Sequence, residues 1–165
     1  MPADTLEAHK RQDKTSYDLW AKDDKWITAT PGAVVDYDFI LDYMDKTYEA
    51  NHWVKGEVCY DRAMATWLAQ RLEDRGYKPV DIAQGMLTLG YPTKNFRDEV
   101  YKGNMIHDNN PVISWAMGNA MIRKDCNENI MLDKEHSTER IDPAACLMNA
   151  CLLYTSDAAD DLLCV

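Results

Sequence analysis

Asp142 and Asp61 are the two side chains whose type and setting could carry chemistry in this sequence. Asp142 sits in the run RIDPA, just ahead of the apolar stretch from Ala144 to Ala150, so its carboxylate stands at the start of a helix. Asp61 closes the segment VKGEVCYD, which reads as a buried strand running into an amphipathic helix over 62–75. Carboxylates presented at element ends can share divalent cations, and metal-assisted phosphodiester cleavage needs such an arrangement. Each aspartate taken alone also has a plainer reading, as the cap of the helix behind it.

The surrounding pattern is that of one α/β domain. Residues 1–25 are polar and mixed in charge, an irregular or helical lead-in whose aromatics Tyr17 and Trp20 dock on other residues. KWITAT is a short strand candidate that stops at the Pro31-Gly32 turn. From Asp36, a possible cap, DYDFILDYMDKTYEANHW carries Phe39 or Ile40, Met44 and Tyr48 at helical spacing. In the helix 62–75, Met64, Trp67, Leu68 and Leu72 keep one face, and Gly76 supplies the stop. PVDIA is the next strand, so the unit strand, helix, strand suits a parallel crossover. QGMLTLGYPTKN reads as a loop leading to a helix over 93–102 that Gly103 ends. Val112, Trp115, Ala116 and Asn119 mark a further helix reaching about Arg123; DCNENIMLDK then holds a turn and a short strand before the last helix near Asp142.

The chain of 165 residues is long enough for one such domain with a sizeable core. Its 18 Lys plus Arg against 28 Asp plus Glu give a net charge of −10, which argues against broad attraction to a nucleic-acid backbone. It leaves a nuclease open, because a metal-dependent site is itself acidic. The 5 cysteines, Cys59, Cys126, Cys146, Cys151 and Cys164, are scattered without a C-x-x-C pair and are expected to be reduced, buried thiols. The opening residues lack the apolar core of a signal peptide, and no stretch nears the roughly 20 apolar residues of a membrane span. A soluble, cytoplasmic protein is expected.

Residues 151–165, CLLYTSDAADDLLCV, change in character and resemble translated sequencing adapter. They are expected to be a non-native tail on a domain of residues 1–150, packing poorly or extending the last helix by at most a turn.

Among the remaining candidates, His107 and Asp108 could ligate a metal or act as a base, but adjacent residues seldom converge on one ion and a lone His is more often structural. Asn109, Asn110 and Pro111 suit a turn before a helix. Lys134 and Arg140 could meet a phosphate or form an ion pair near Asp142. Trp67 and Trp115 read as core, Asp36 and Asp38 as cap and surface.

The ordered set TPGAVVDYDFI, VCYDRAMATWLAQRLEDRGY, DIAQG, MIHDNNPVISWAMGNA and DKEHSTERIDPAACLMNA resembles the large subunit of the terminase of tailed bacteriophages, specifically its C-terminal endonuclease domain, over about residues 16 to 150. The resemblance implies an RNase H-like α/β fold, a central mixed sheet with flanking helices, and cutting of concatemeric phage DNA during packaging into the capsid, in the cytoplasm of the host cell. It implies Mg²⁺ or Mn²⁺ as cofactor, held by acidic positions on a first strand, at the end of a middle strand and near the start of a late helix. Asp61 matches the second of these and Asp142 the third. The first falls in a stretch that the family carries upstream of the region here written SYDLW (Ser16 to Trp20) and that is absent from this sequence, and no G-x-x-x-x-G-K-[ST] loop of the family's ATPase motor is found, so a fold incomplete at its N-terminus and weakened cleavage are expected. Implied partners are double-stranded DNA, the small terminase subunit and the portal. The rival expectations are an inactive structural or partner-binding remnant and another RNase H-like nuclease.

Overall fold

The computed structural model describes residues 1–22, 25–61 and 65–162, and the side chains of these except 65, 66 and 154–162. The chain divides into two compact units, residues 1–55 with 110–112, and residues 56–109 with 113–165.

The first unit is helical. α1 (Ala3–Gln12) carries Asp4 in its first turn and His9, Lys10 and Arg11 in its last, the order a helix dipole favours. α2 (Tyr17–Ala21) is tied to it by Lys10 and Asp18 at 2.7 Å. The Tyr17 hydroxyl donates to the buried Asp13 carboxylate at 2.7 Å, and its ring meets Trp20 edge-on at 5.6 Å. The lead-in is therefore helical and its aromatics do dock. The strand expected at KWITAT is absent. Trp26 and Ile27 give their backbone N–H groups to the Trp20 carbonyl, and only Thr30 pairs, in a parallel bridge with Pro2. α3 (Tyr37–Ala50) starts at the expected cap, Asp36 accepting the Phe39 N–H at 2.9 Å. Its buried residue is Leu41, whereas Phe39 and Ile40 are exposed.

Among its described residues the second unit holds two two-stranded sheets. β1 (Glu57–Asp61) and β2 (Lys78–Ile82) are parallel and joined through α4 (Ala65–Asp74). β1 is half-buried with Asp61 exposed, so the buried strand expected there is corrected. The start of the helix expected from 62, with Met64 on its face, lies outside the described residues. At the other end of α4, Gly76 adopts φ +84°, its N–H reaching the Glu73 carbonyl (2.8 Å) while the Tyr77 N–H reaches that of Leu72 (3.0 Å). That pair of hydrogen bonds, with Leu72 and Tyr77 both buried, explains why glycine ends the helix here. Trp67 is not core: it is half exposed, with the Arg71 guanidinium 4.6 Å from its ring centre. Trp115 is partly buried.

α5 (Met86–Tyr101) begins seven residues before the expected start at 93 and contains Pro92. The loop signals of Gly90 and Pro92 are overridden by packing. Leu89, Pro92 and Phe96 are buried along one face, Gly90 lies against Asn129 and Ile130, and the Thr93 hydroxyl donates to the Leu89 carbonyl at 2.7 Å in the turn that proline interrupts. Gly103, at φ +74°, ends the helix as expected. α6 (Pro111–Asn119) stops short of Arg123, which instead lies in β3 (Met121–Lys124), antiparallel to β4 (Ile130–Asp133). The strand at IMLD thus acquires a partner in residues expected to be helical.

α7 (Asp142–Leu162) starts where expected and buries Ala144 and Met148 against the α5 side of the unit. It continues beyond Ala150 for longer than the single turn expected, and Leu152 packs with Cys59 and Met86 around the buried trio Ile82, Leu89 and Met131. Among the described cysteines, Cys126 and Cys146 are exposed and Cys59 and Cys151 half-buried, so the expectation of buried thiols is corrected. Cys164 lies outside the described residues. No helix of the described residues is long and apolar enough to cross a membrane.

Candidate functional site

Because β1 and β2 run parallel, their C-terminal ends lie at the same edge, Asp61 paired in register with Ile82. Gln84, two residues beyond Ile82, lines a cleft of about 240 Å³ in the second unit. Leu89, Met131 and Met148 contribute apolar surface to this cleft, and Arg123, Asp133, Lys134 and Glu135 supply charge. The edge beyond the C-terminal ends of parallel strands is where open α/β sheets commonly bind their ligands.

Asp142 reaches the same cleft through Lys134, whose ammonium lies 3.0 Å from its carboxylate. This is the ion pair expected between those residues. α7 also touches β1 directly, the Cys59 thiol donating to the Asn149 carbonyl at 3.7 Å. Burial, then the charges of Glu57 and Cys146, push the Cys59 thiol up to about 11. Desolvation and the Asp142 carboxylate raise that of Cys146, with Lys134 offsetting them in part. Both thiols therefore stay protonated near neutral pH, which leaves the carboxylates as the harder, ionised donors at this edge.

Lys134 belongs to a turn that Asp133 organises. One Asp133 oxygen accepts the backbone N–H groups of Glu135 (3.1 Å) and His136 (3.3 Å), the other lies 2.8 Å from His136 Nδ1, and the Asp133 carbonyl accepts the Ser137 hydroxyl at 2.5 Å. The His136 ring holds the Asp133 carboxyl below the usual carboxylate range, and Asp133 in turn raises the imidazole. Sequence reasoning passed over this pair. Its signal was Asp and His three residues apart immediately before the RID run.

The other candidates lie apart from the cleft lining. His107 is exposed and its Nδ1 accepts the Asn109 N–H at 3.2 Å, while Asn110 accepts the Val112 N–H at 3.0 Å, so this segment is the turn before α6 that its residues suggested. Arg140 is partly buried. Asp36 caps α3. Among the described residues, no three His, Cys, Asp or Glu side chains gather as a ready metal site.

The endonuclease domain of the terminase large subunit is the protein family that matches this chain, over residues 1–157. Protein YmfN of Escherichia coli (strain K12) is 28% identical over 158 residues, 91% of this chain and 34% of that protein. The large terminase subunit of Enterobacteria phage HK97 is 28% identical over 143 residues, 86% of this chain and 28% of that protein. The crystal structure of the HK97 large terminase superposes with a TM-score of 0.82 at 25% identity, over 93% of this chain and 32% of that one. The fold is accordingly a mixed α/β arrangement of small open sheets and flanking helices, in keeping with an RNase H-like terminase nuclease domain. The chain spans about a third of the length of these relatives.

Proposed function

The chain belongs to the family of terminase large subunit endonuclease domains, and we propose that it cuts double-stranded DNA with Asp61 and Asp142 as the carboxylates of its site. The observation that carries this reading is the cleft at the strand ends: Asp61 is in register with the residue that leads into Gln84, and Asp142 is bonded to Lys134 on the cleft wall. The broader assignment, a part in DNA packaging, follows from the family. Cutting of concatemeric DNA, with the small subunit and the portal as partners, is the fuller form of the same proposal.

Mg²⁺ or Mn²⁺ suits the donor set. Carboxylate oxygens are hard ligands, and Mg²⁺ is commonly held by one or two of them, the remaining positions going to water and substrate phosphates. When bound, such an ion supplies charge at the phosphorus and lowers the pKa of attacking water. Asp61 and Asp142 would hold it. Lys134 neutralises Asp142 until then, and the apolar cleft surface from Leu89 and Met131 limits water beside the reacting group.

The test is plasmid nicking with protein in excess, so that slow cleavage is read, in Mg²⁺ and in Mn²⁺. Nicking that disappears in Asp61→Asn and in Asp142→Asn, with both variants folded, is the expected result. Nicking unchanged in either variant removes that residue from the site, and no nicking by the parent protein favours the structural-remnant alternative.

A further inference from the structure

His136 follows directly on three residues that line the cleft, Asp133, Lys134 and Glu135, and its ring is bonded back to the first of them. Its Nδ1 is fixed by Asp133 at 2.8 Å, and the Asp133 side chain is only 12% exposed whereas that of His136 is 73% exposed. Asp133 and its neighbours Lys134 and Glu135 line the cleft, as does Arg123 across the β3–β4 pair. A carboxylate that holds Nδ1–H fixes the tautomer and the ring plane, which makes Nε2 the nitrogen that gains and loses a proton. Among the described residues Nε2 makes no hydrogen bond, so it is open to a ligand.

Resting on the cleavage reading above, we propose that His136, positioned by Asp133, is the proton donor to the leaving 3′ oxygen of the phosphodiester. The oxygen of water forms the new bond to phosphorus, and the phosphorus–O3′ bond breaks with its electron pair passing to O3′. The proton on His136 Nε2 moves to that oxygen, giving a 3′-hydroxyl beside a 5′-phosphate. The proton shed by the attacking water goes to solvent, and solvent reprotonates His136.

The groups facing the imidazole agree with this role. Asp133 is the main influence raising its pKa, Glu135 adds to it, and Arg123 opposes them. A ring so placed keeps its proton nearer to neutral pH than an isolated histidine does. Lys134, between the two members of the pair, is engaged with Asp142, so one turn carries both the proton donor and the lysine bonded to a candidate cation-binding carboxylate.

The experiment uses two duplexes, one with an ordinary phosphodiester and one with a 3′-bridging sulfur at a single bond, because a thiolate leaves without needing a proton. His136→Ala and His136→Gln are expected to lower the rate at the ordinary bond by roughly 100-fold or more and to match the parent at the sulfur bond. The limb of the parent's pH profile that falls as His136 loses its proton should vanish in both variants. In the metal-free protein, the NMR titration of His136 should move to lower pH in Asp133→Asn. Equal losses on the oxygen and sulfur bonds overturn the proton-donor role in favour of a phosphate contact, and no loss on either overturns it outright. A parent protein that cuts neither duplex fails the cleavage reading itself and takes this inference with it.

Discussion

Two aspartate-centred turns flank β4, and they differ in what satisfies the carboxylate. Before the strand, Asp125 accepts the backbone N–H groups of Asn127 (2.8 Å) and Asn129 (2.9 Å) and the Asn129 side-chain amide (2.8 Å), all neutral donors within one hairpin loop. After it, Asp133 accepts the same kind of backbone bonds but spends its second oxygen on an imidazole. The local geometry is similar, an Asx turn in each case. A neutral partner gives a turn that serves the fold at any pH above the carboxylate's titration. A titratable partner makes the second turn responsive near neutrality, and that turn is the one lining the cleft. A side chain's chemical use is thus decided by its partner more than by its backbone motif.

The comparison breaks most severely if the strand between the turns is loosened. Ile130 is almost fully buried, and Ile130→Ala is expected to cost about 2–5 kcal/mol by urea denaturation, disturbing both turns at once. Unchanged stability would mean that the hairpin is held by something other than this packing.

A sharper separation comes from one substitution in each turn. Asp133→Asn should reduce cleavage roughly 10- to 100-fold, whereas Asp125→Asn should leave the cleavage rate within about twofold and lower only the thermal midpoint. Similar rate losses in both would erase the distinction between them.

The pH dependence of the midpoint separates the turns next. Asp125 and Asp133 both titrate below their ordinary value of 3.8, so each contributes stability above that value and loses it as pH falls through the lowered pKa. His136 titrates above 6.5, so its contribution is complete below 6.5 and is lost as pH rises through the raised pKa. His136→Ala should therefore flatten the limb above 6.5 and weaken the acid limb that Asp133 owes to the imidazole. Asp125→Asn should alter the acid limb alone. The two variants are compared by thermal unfolding across the pH range.

The smallest effect is chemical labelling. Cys126 sits exposed in the first turn, whereas Cys59 is half-buried with its thiol pushed up to about 11. Iodoacetamide should modify Cys126 well before Cys59, followed by peptide mass spectrometry, because alkylation proceeds through the thiolate. Early labelling of Cys59 would show that β1 and α7 separate in solution.

Much of the frame was legible because it rests on local chemistry. Asp36 had to cap α3, Gly76 and Gly103 had to adopt positive φ at helix ends, and the two apolar segments joined through a helix had to run parallel. What stayed hidden depends on neighbours that sequence spacing does not identify. Gly90 and Pro92 signal a loop until β4 packs beside them, and Arg123 fits a helix until IMLD offers it a strand to pair with. Asp61 and Asp142 were legible as individuals from their motif blocks. The Lys134 ion pair that ties Asp142 to the cleft lining was legible too, whereas the route from the end of β2 to Gln84 was not, because local sequence reads that residue only as loop. Asp133 and His136 were missed for a related reason: a pair three apart in a loop gains meaning only when the loop is seen to fold over its own carboxylate.

The parallel pair β1–β2 bears on how the protein behaves in concentrated solution. A two-stranded sheet presents outward-facing backbone groups on both flanks, a template onto which another extended chain could add. Glu57, Lys78, Asp81 and Asp61 place charge along these strands, and at neutral pH the whole chain carries −10. Among the described residues no further strand covers these flanks, and colloidal repulsion between copies protects them instead. That protection fades as acid approaches the isoelectric point near 4.7, where strand addition onto the β1–β2 pair is the expected route of self-association in concentrated solution.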